Sequence, residues 1–240
     1  MIELMIFPPA FNCRSPSPFS MKAELLMKMA KVKYKAVYLE TPSKAPNSKL
    51  PYIIDDGVII ADSHFIYQHI CKKYNVNLDC YLTDAEKAVS KAFSRLIEDH
   101  LYWVCSYARW LDDDFGQQVS VFFGKLPPII RNIVPYIVRK EVFKASYSHG
   151  IGRHSKEKIY QLGSDDVAAI VTQLAGSKFF MGDKPSSIDA IVYGILSEII
   201  YPNASTPLQK YASNFDCLRT YLKTIETEYD FAPINLKEVK

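Results

Sequence analysis

The chain carries little cysteine, and none of it is paired in sequence. Five cysteines stand at Cys13, Cys71, Cys80, Cys105 and Cys217. No two are arranged as Cys-x-x-Cys and no metal-ligand spacing occurs, so neither a zinc module nor a dithiol redox centre is expected. An odd, dispersed set also argues against a disulfide framework and fits a reducing compartment, here the cytoplasm. Charge of one sign is equally scarce. Lys and Arg number 29 against 26 Asp and Glu, a net charge of +3. The cations do not cluster, which excludes a nucleic-acid surface. Long hydrophobic runs are absent: the longest apolar patch, residues 126–138, is interrupted by prolines and Arg131 and is too short to span a bilayer. The opening residues, MIELMIF, lack a basic leader and a cleavage site and read as a strand rather than a signal peptide. No internal repeat or low-complexity segment stands out. What is present is an ordinary globular composition, 48% hydrophobic and 23% charged over 240 residues. That is enough to bury the core of one large domain or two small ones.

The character of the chain changes once. Before residue 80, short apolar stretches alternate in type. Residues 2–7 are strand-like, and residues 19–30 have helical apolar spacing. Residues 32–39 alternate with period two, and residues 41–48 carry two prolines and small polar residues, hence a loop. From Thr83, which forms a capping box with Glu86, helical patterns take over. Helices are expected over 83–111, 117–123, 128–147, 155–175, 188–200 and 215–228, with residues 74–82 as the linker. Ser186 as N-cap and Asp189 as N3 open the helix at 188, a folding element rather than a chemical one.

Residues 47–70, NSKLPYIIDDGVIIADSHFIYQHI, are the most informative window. An apolar run ends in the Asp56-Gly57 turn and a second run follows, a tight hairpin signal. Pro51 stands where the first strand should begin, a position that cannot donate to a ladder. After the hairpin come Asp62 and Ser63 and then a helical apolar pattern. Ser63 is therefore expected to cap that helix, with the acid, the hydroxyl and the first free N–H groups forming a polar pocket.

This window resembles the glutathione site of the glutathione transferase superfamily. There a cis-proline starts the third strand of a thioredoxin-like domain, and an acid-Ser pair after the fourth holds the γ-glutamyl end of glutathione. The matching residues are Lys49, Leu50, Pro51, Asp62 and Ser63. Residues 150–169 and 179–185, with Ser15-Pro16-Ser17-Pro18-Phe19, look like the failed-axon-connections and metaxin-related branch, whose members are not uniformly established as enzymes. The resemblance implies an α/β thioredoxin-like domain over 1–75, in the order β-α-β-β-β-α with the second helix shortened or missing. An all-α domain over 83–240 would follow. It also implies glutathione as cosubstrate, no metal, and a homodimer.

In such a fold the reacting sulfur lies at the start of the first helix. Residues 17–20, Ser-Pro-Phe-Ser, match the Cys-Pro-Phe-Cys tetrad of glutaredoxins with both sulfurs replaced by oxygen. Thiol–disulfide exchange needs a thiolate nucleophile, so that chemistry is excluded at the tetrad. Activation of an incoming thiol remains. Glutathione's free thiol titrates near 8.5, and lowering it to about 6.5 requires roughly 2.7 kcal/mol of differential stabilisation. A Ser17 hydroxyl donating to the sulfur, together with the helix N-terminus, is of that order. Ser17 ranks first, ahead of Ser20 and Ser15. Cys13, four residues earlier, is the rival that would form a mixed disulfide. The sequence leaves open which of the four faces the sulfur.

Other residues are read more plainly. Lys49 is placed to reach the glycyl carboxylate as a point charge. Tyr52 is outer-face packing and His64 a surface helix residue. Tyr102, Trp103, Tyr107 and Trp110 share one long helix, and residues 103, 107 and 110 fall on one face; core packing is preferred over an electrophile pocket. Asp112-Asp113-Asp114 reads as a solvated helix end. Two classes of function follow. One is a transferase that joins glutathione to a small apolar electrophile. The other is a non-catalytic module that docks to a protein or membrane. For the second, residues 119–147 combine Phe, Ile, Val and prolines with spaced Lys and Arg.

Overall fold

The computed structural model describes residues 1–112, 115–124 and 127–234. Strand β1 (Ile2–Ile6) leads to helix α1 (Pro18–Met29) and strand β2 (Tyr34–Tyr38). A 3-10 turn at Pro46–Ser48 occupies the place of a second helix, and strands β3 (Tyr52–Asp55) and β4 (Val58–Ala61) and helix α2 (Ser63–Tyr74) follow. The sheet order is β2-β1-β3-β4, with β1 parallel to β2 and β3 antiparallel to both β1 and β4. The hairpin turns at Asp56 and Gly57, both with positive φ, the geometry that matches strand twist. One sheet face, Ile2, Leu4, Ile6 and Ile53, buries against Ala23 and Met27 of α1 and Ile66 and Ile70 of α2. The other carries Met5 and Leu50 with Tyr52 packed beside them, the outer-face role expected for that tyrosine.

Helices account for the described elements that follow. Helix α3 (Asp84–Arg95) opens on the expected box: Thr83 Oγ1 accepts from Glu86 N–H, and Glu86 accepts from Thr83 N–H. It runs through a π-helical turn (Leu96–Leu101) into α4 (Tyr102–Trp110). Then come α5 (Phe115–Phe123), α6 (Pro128–His149), α7 (Lys156–Leu174), α8 (Ile188–Ile200), α9 (Pro207–Ala212) and α10 (Asp216–Tyr229). Helix α9 is too short to show periodicity and was not expected. This is the transferase-type fold that the sequence implied, a four-stranded sheet with its helices followed by a helical region.

Helix α8 starts one residue later than its capping pattern suggests, with Ser187 as N-cap. Asp189 still turns back as expected, accepting from Ser186 N–H and Oγ, and also from Phe180 N–H and the Tyr221 hydroxyl. Asp112 is not a solvated helix end. It is buried and accepts from the Tyr160 hydroxyl at 2.5 Å and from Lys156. Asp113 and Asp114 lie outside the described residues.

Helix α8 is buried along its whole length and crosses α1 closely. The approach depends on Gly194. A Cβ there would stand 2.7 Å from the Pro18 carbonyl oxygen and 3.3 Å from two further Pro18 backbone atoms. Backbone cannot swing aside, so Gly194→Ala must separate α8 from the first turn of α1. We expect it to destabilise the protein by about 1–3 kcal/mol, read as a lower urea midpoint. An unchanged midpoint would show that the two helices are not seated as described.

Candidate functional site

Three chain segments meet at one cleft of about 600 Å³ between the sheet and the helical region. The first is the start of α1. Ser17 is its N-cap, with extended backbone, and its Oγ accepts from Ser20 N–H at 3.3 Å; Pro18 occupies N1, where no N–H is missed. A hydroxyl that accepts one bond still has its proton to donate, and Ser17 is half-buried on the cleft wall. Its rivals are turned away. Ser15 is buried and accepts from Ser17 N–H, and Ser20 is buried with its hydroxyl unpartnered. Cys13 is buried against α8, its thiol directed at the Ser197 carbonyl, and burial pushes its pKa well up. A thiol so placed stays protonated and inert.

The second segment precedes β3. The Leu50–Pro51 bond is cis, and the Pro51 carbonyl accepts from Asp62 N–H. Lys49 and Leu50 line the cleft. Among the described residues nothing meets the Leu50 N–H or carbonyl. The third segment is the start of α2, and here the expected register slips by one. The N-cap is Asp62, at φ 74°, whose Oδ1 accepts from His64 N–H at 2.8 Å; Ser63 is the first helical residue and is buried on the cleft wall. Asp62 wins because it lies in the tight exit from β4, where its carboxylate reaches back over the first turn. His64, partly exposed at the helix surface as expected, also lines the cleft, and burial lowers its pKa, assisted by Lys91 and Lys22.

The opposite wall comes from α4. Tyr102, Ser106 and Arg109 look into the cleft, with Trp103 and Trp110 at its margin. Tyr107 is turned away and packs on Tyr160. Trp103 and Tyr107 pack, partly buried, against the helical core as expected, while Trp103 and Trp110 also line the cleft. Phe7, Phe11 and Trp110 gather around Phe122 of α5, with ring centroids 5.3–6.2 Å apart, making the mouth aromatic.

Arg109 and Glu198 were not singled out from sequence. Arg109 donates to the Pro16 carbonyl, immediately before Ser17, and to Glu198 Oε1 at 3.2 Å. It thereby ties α4 and α8 to the loop that presents Ser17. Burial pushes the Glu198 carboxyl up to about 7 against the pull of Arg109. The folded protein keeps a proton that the unfolded chain loses between its ordinary value of 4.5 and about 7, so this group's contribution to stability falls as pH rises through that window. The available signal was the one carboxylate, Glu198, within the largely apolar residues 190–200. Among the described residues no cluster is placed to hold a metal ion.

Comparison with known proteins agrees with this geometry. The family model for the glutathione S-transferase N-terminal domain matches residues 18–115, and that for the C-terminal domain matches residues 163–225. The chain is 32% identical over 243 residues to the isoprene-epoxide–glutathione S-transferase of Rhodococcus sp. (strain AD45), covering 96% of this chain and 100% of that one. It is 32% identical over 209 residues to failed axon connections of Drosophila melanogaster, covering 82% of this chain but only 50% of that protein's length. The metaxin-1 homolog of Caenorhabditis briggsae is 27% identical, with 100% of this chain and 77% of that protein covered. Among solved structures, a glutathione transferase family member from Pseudomonas fluorescens with two glutathione bound superposes at a TM-score of 0.56, with 15% identity over 94% of this chain and 88% of that one. Matched by both domain models and by a full-length relative at 32% identity, this chain belongs to the glutathione S-transferase superfamily, on the branch that includes failed axon connections and the metaxins.

Proposed function

We propose that the protein binds glutathione in this cleft and joins its thiol to a small apolar electrophile. The observation that carries the reading is the convergence of three polar elements on one cavity: the Ser17 cap, the unpaired Leu50 backbone and the Asp62-Ser63 helix start. Each matches one part of glutathione. Asp62 takes the α-amino group. Ser63, with the free N–H groups at the α2 N-terminus, takes the γ-glutamyl carboxylate. The Leu50 N–H and carbonyl pair with the cysteinyl backbone, held in position by the turn at Pro51, and Lys49 reaches the glycyl carboxylate. Ser17 then donates to the sulfur and favours the thiolate. Arg109 acts through the Pro16 carbonyl, as a positioning residue for Ser17.

The electrophile would sit among Trp103, Trp110 and Phe122, an apolar wall facing Ser17. The full-length relative named for an isoprene epoxide supports a strained small electrophile of the epoxide class. In that reaction the thiolate forms a C–S bond, the C–O bond breaks, and the resulting alkoxide takes a proton from solvent. All five cysteines are free thiols, which fits a cytoplasmic setting. A homodimer is part of this reading, through the exposed Val58, Ile59 and Phe65 beside the cleft.

Calorimetric titration with glutathione tests the binding half directly. Ser63→Ala should lose on the order of 1–3 kcal/mol of affinity. A wild-type protein that shows no heat of binding at millimolar glutathione defeats the proposal. The docking-module reading, favoured by the metaxin and failed axon connections relatives, would then take its place.

A further inference from the structure

We propose that helix α6 is a docking surface for anionic phospholipid, lying flat in the membrane interface. Its inner side is fixed to the protein. Pro135 and Ser146 are buried, and Arg139 donates to the Leu111 carbonyl at 3.0 Å. Its outer side is not covered. Ile129 and Tyr136 are 77% and 66% exposed, and Ile133, Ile137, Phe143 and Tyr147 are each at least half exposed. At 100° per residue these six fall on one face, opposite Pro135 and Ser146. The helix has 22 residues, and the apolar ridge from Ile129 to Tyr147 is about 27 Å long. Soluble monomers seldom leave so continuous a stripe in water.

Charge selects the occupant. Helix α6 carries Arg131, Arg139, Lys140 and Lys144 against a single acid, Glu141, which is paired with Lys144 at 2.8 Å. The helix that exposes the isoleucine and tyrosine ridge therefore carries a local formal charge of 4 − 1 = +3. Lys140 and Lys144 fall on that ridge, where long stems lie along apolar surface and the ammonium groups reach outward. A second copy of the chain, meeting this face about a two-fold axis, would bring those lysines against their own copies. The ridge is also convex, whereas a helix that docks to a protein needs a groove on its partner. An anionic bilayer surface takes both features at once, the side chains entering the acyl boundary and the cations meeting phosphate. No helix among the described residues is long and apolar enough to cross a membrane, so the contact would be superficial.

The test is flotation of the full chain with phosphatidylcholine vesicles, with and without phosphatidylserine, at low and high salt. Binding should require phosphatidylserine and weaken with salt. Ile133→Gln with Ile137→Gln should lose binding, and so should Lys140→Glu with Lys144→Glu, each by at least about tenfold. All four positions are exposed, so thermal melting and glutathione titration should stay at wild-type values, which separates this surface from the cleft. Three outcomes would overturn the proposal: no binding to either vesicle, equal binding to both that charge reversal leaves intact, or sedimentation showing that the isoleucine pair turns a dimer into a monomer.

Discussion

Ser17→Ala should return the thiol of bound glutathione most of the way to its free pKa of about 8.5, whereas the wild type should hold it at least about one unit lower. The measurement is the ultraviolet absorbance of the thiolate as pH is varied. The pH limb of kcat/KM should move with it. At neutral pH the thiolate fraction, and with it turnover, drops by up to about tenfold per unit of pKa. Glutathione affinity should change far less, since the γ-glutamyl contacts proposed above lie on α2 and not on α1. A loss of turnover with binding nearly intact marks an interaction made mainly with the activated form. Ser20→Ala is the control. Its hydroxyl is buried, unpartnered and off the cleft wall, so removing it should leave the titration alone and cost no stability. If Ser20→Ala moves the titration and Ser17→Ala does not, the assignment of the sulfur to Ser17 is wrong.

Asp189→Ala should be the most destabilising single substitution far from the cleft. The carboxylate accepts from Ser186 N–H and Phe180 N–H at 2.8 Å, from the Tyr221 hydroxyl at 2.8 Å and from the Ser186 hydroxyl at 3.1 Å. Asp189, Phe180, Ser186 and Tyr221 are all buried. Alanine would leave these donors without an acceptor or water. Such a loss costs about 3 kcal/mol or more, a fall of roughly 6–12 °C in Tm for a chain of this size. Asp189→Asn keeps one acceptor but brings an NH₂ group among donors, and should fall between the two. A Tm within about 2 °C of wild type for Asp189→Ala would remove this residue from the fold's framework.

The site was legible where local chemistry and position coincide. Ser17-Pro18 can only be read as a cap followed by N1, and Asp56-Gly57 only as a hairpin turn, because both depend on backbone preferences of neighbouring residues. Lys49, Leu50, Asp62 and Ser63 come from two stretches of one short window, and the strand pairing between those stretches holds them together. The cap of α2 was misread by one residue because Asp62 and Ser63 are both good caps, and only the direction in which the chain leaves β4 chooses between them. On α4 the sequence shows an aromatic stripe, but periodicity cannot say which side of it meets the sheet. Asp112 looked solvated because its partners, Tyr160 and Lys156, lie on another helix.

By itself, then, the sequence determined the order and type of the main elements, the turn and cap residues, and the family resemblance that led to the cis-proline. All of these rest on interactions between residues close along the chain or on a motif within a short window. Only the tertiary structure decided which serine looks into the cleft and that Arg109 and Glu198 stand behind it. It also decided that α6 leaves an apolar ridge uncovered. Those facts depend on which faces of α1, α4, α6 and α8 meet. Helix packing sets that through contacts between residues far apart along the chain, such as Arg109 with Pro16 and with Glu198, and no local pattern records them.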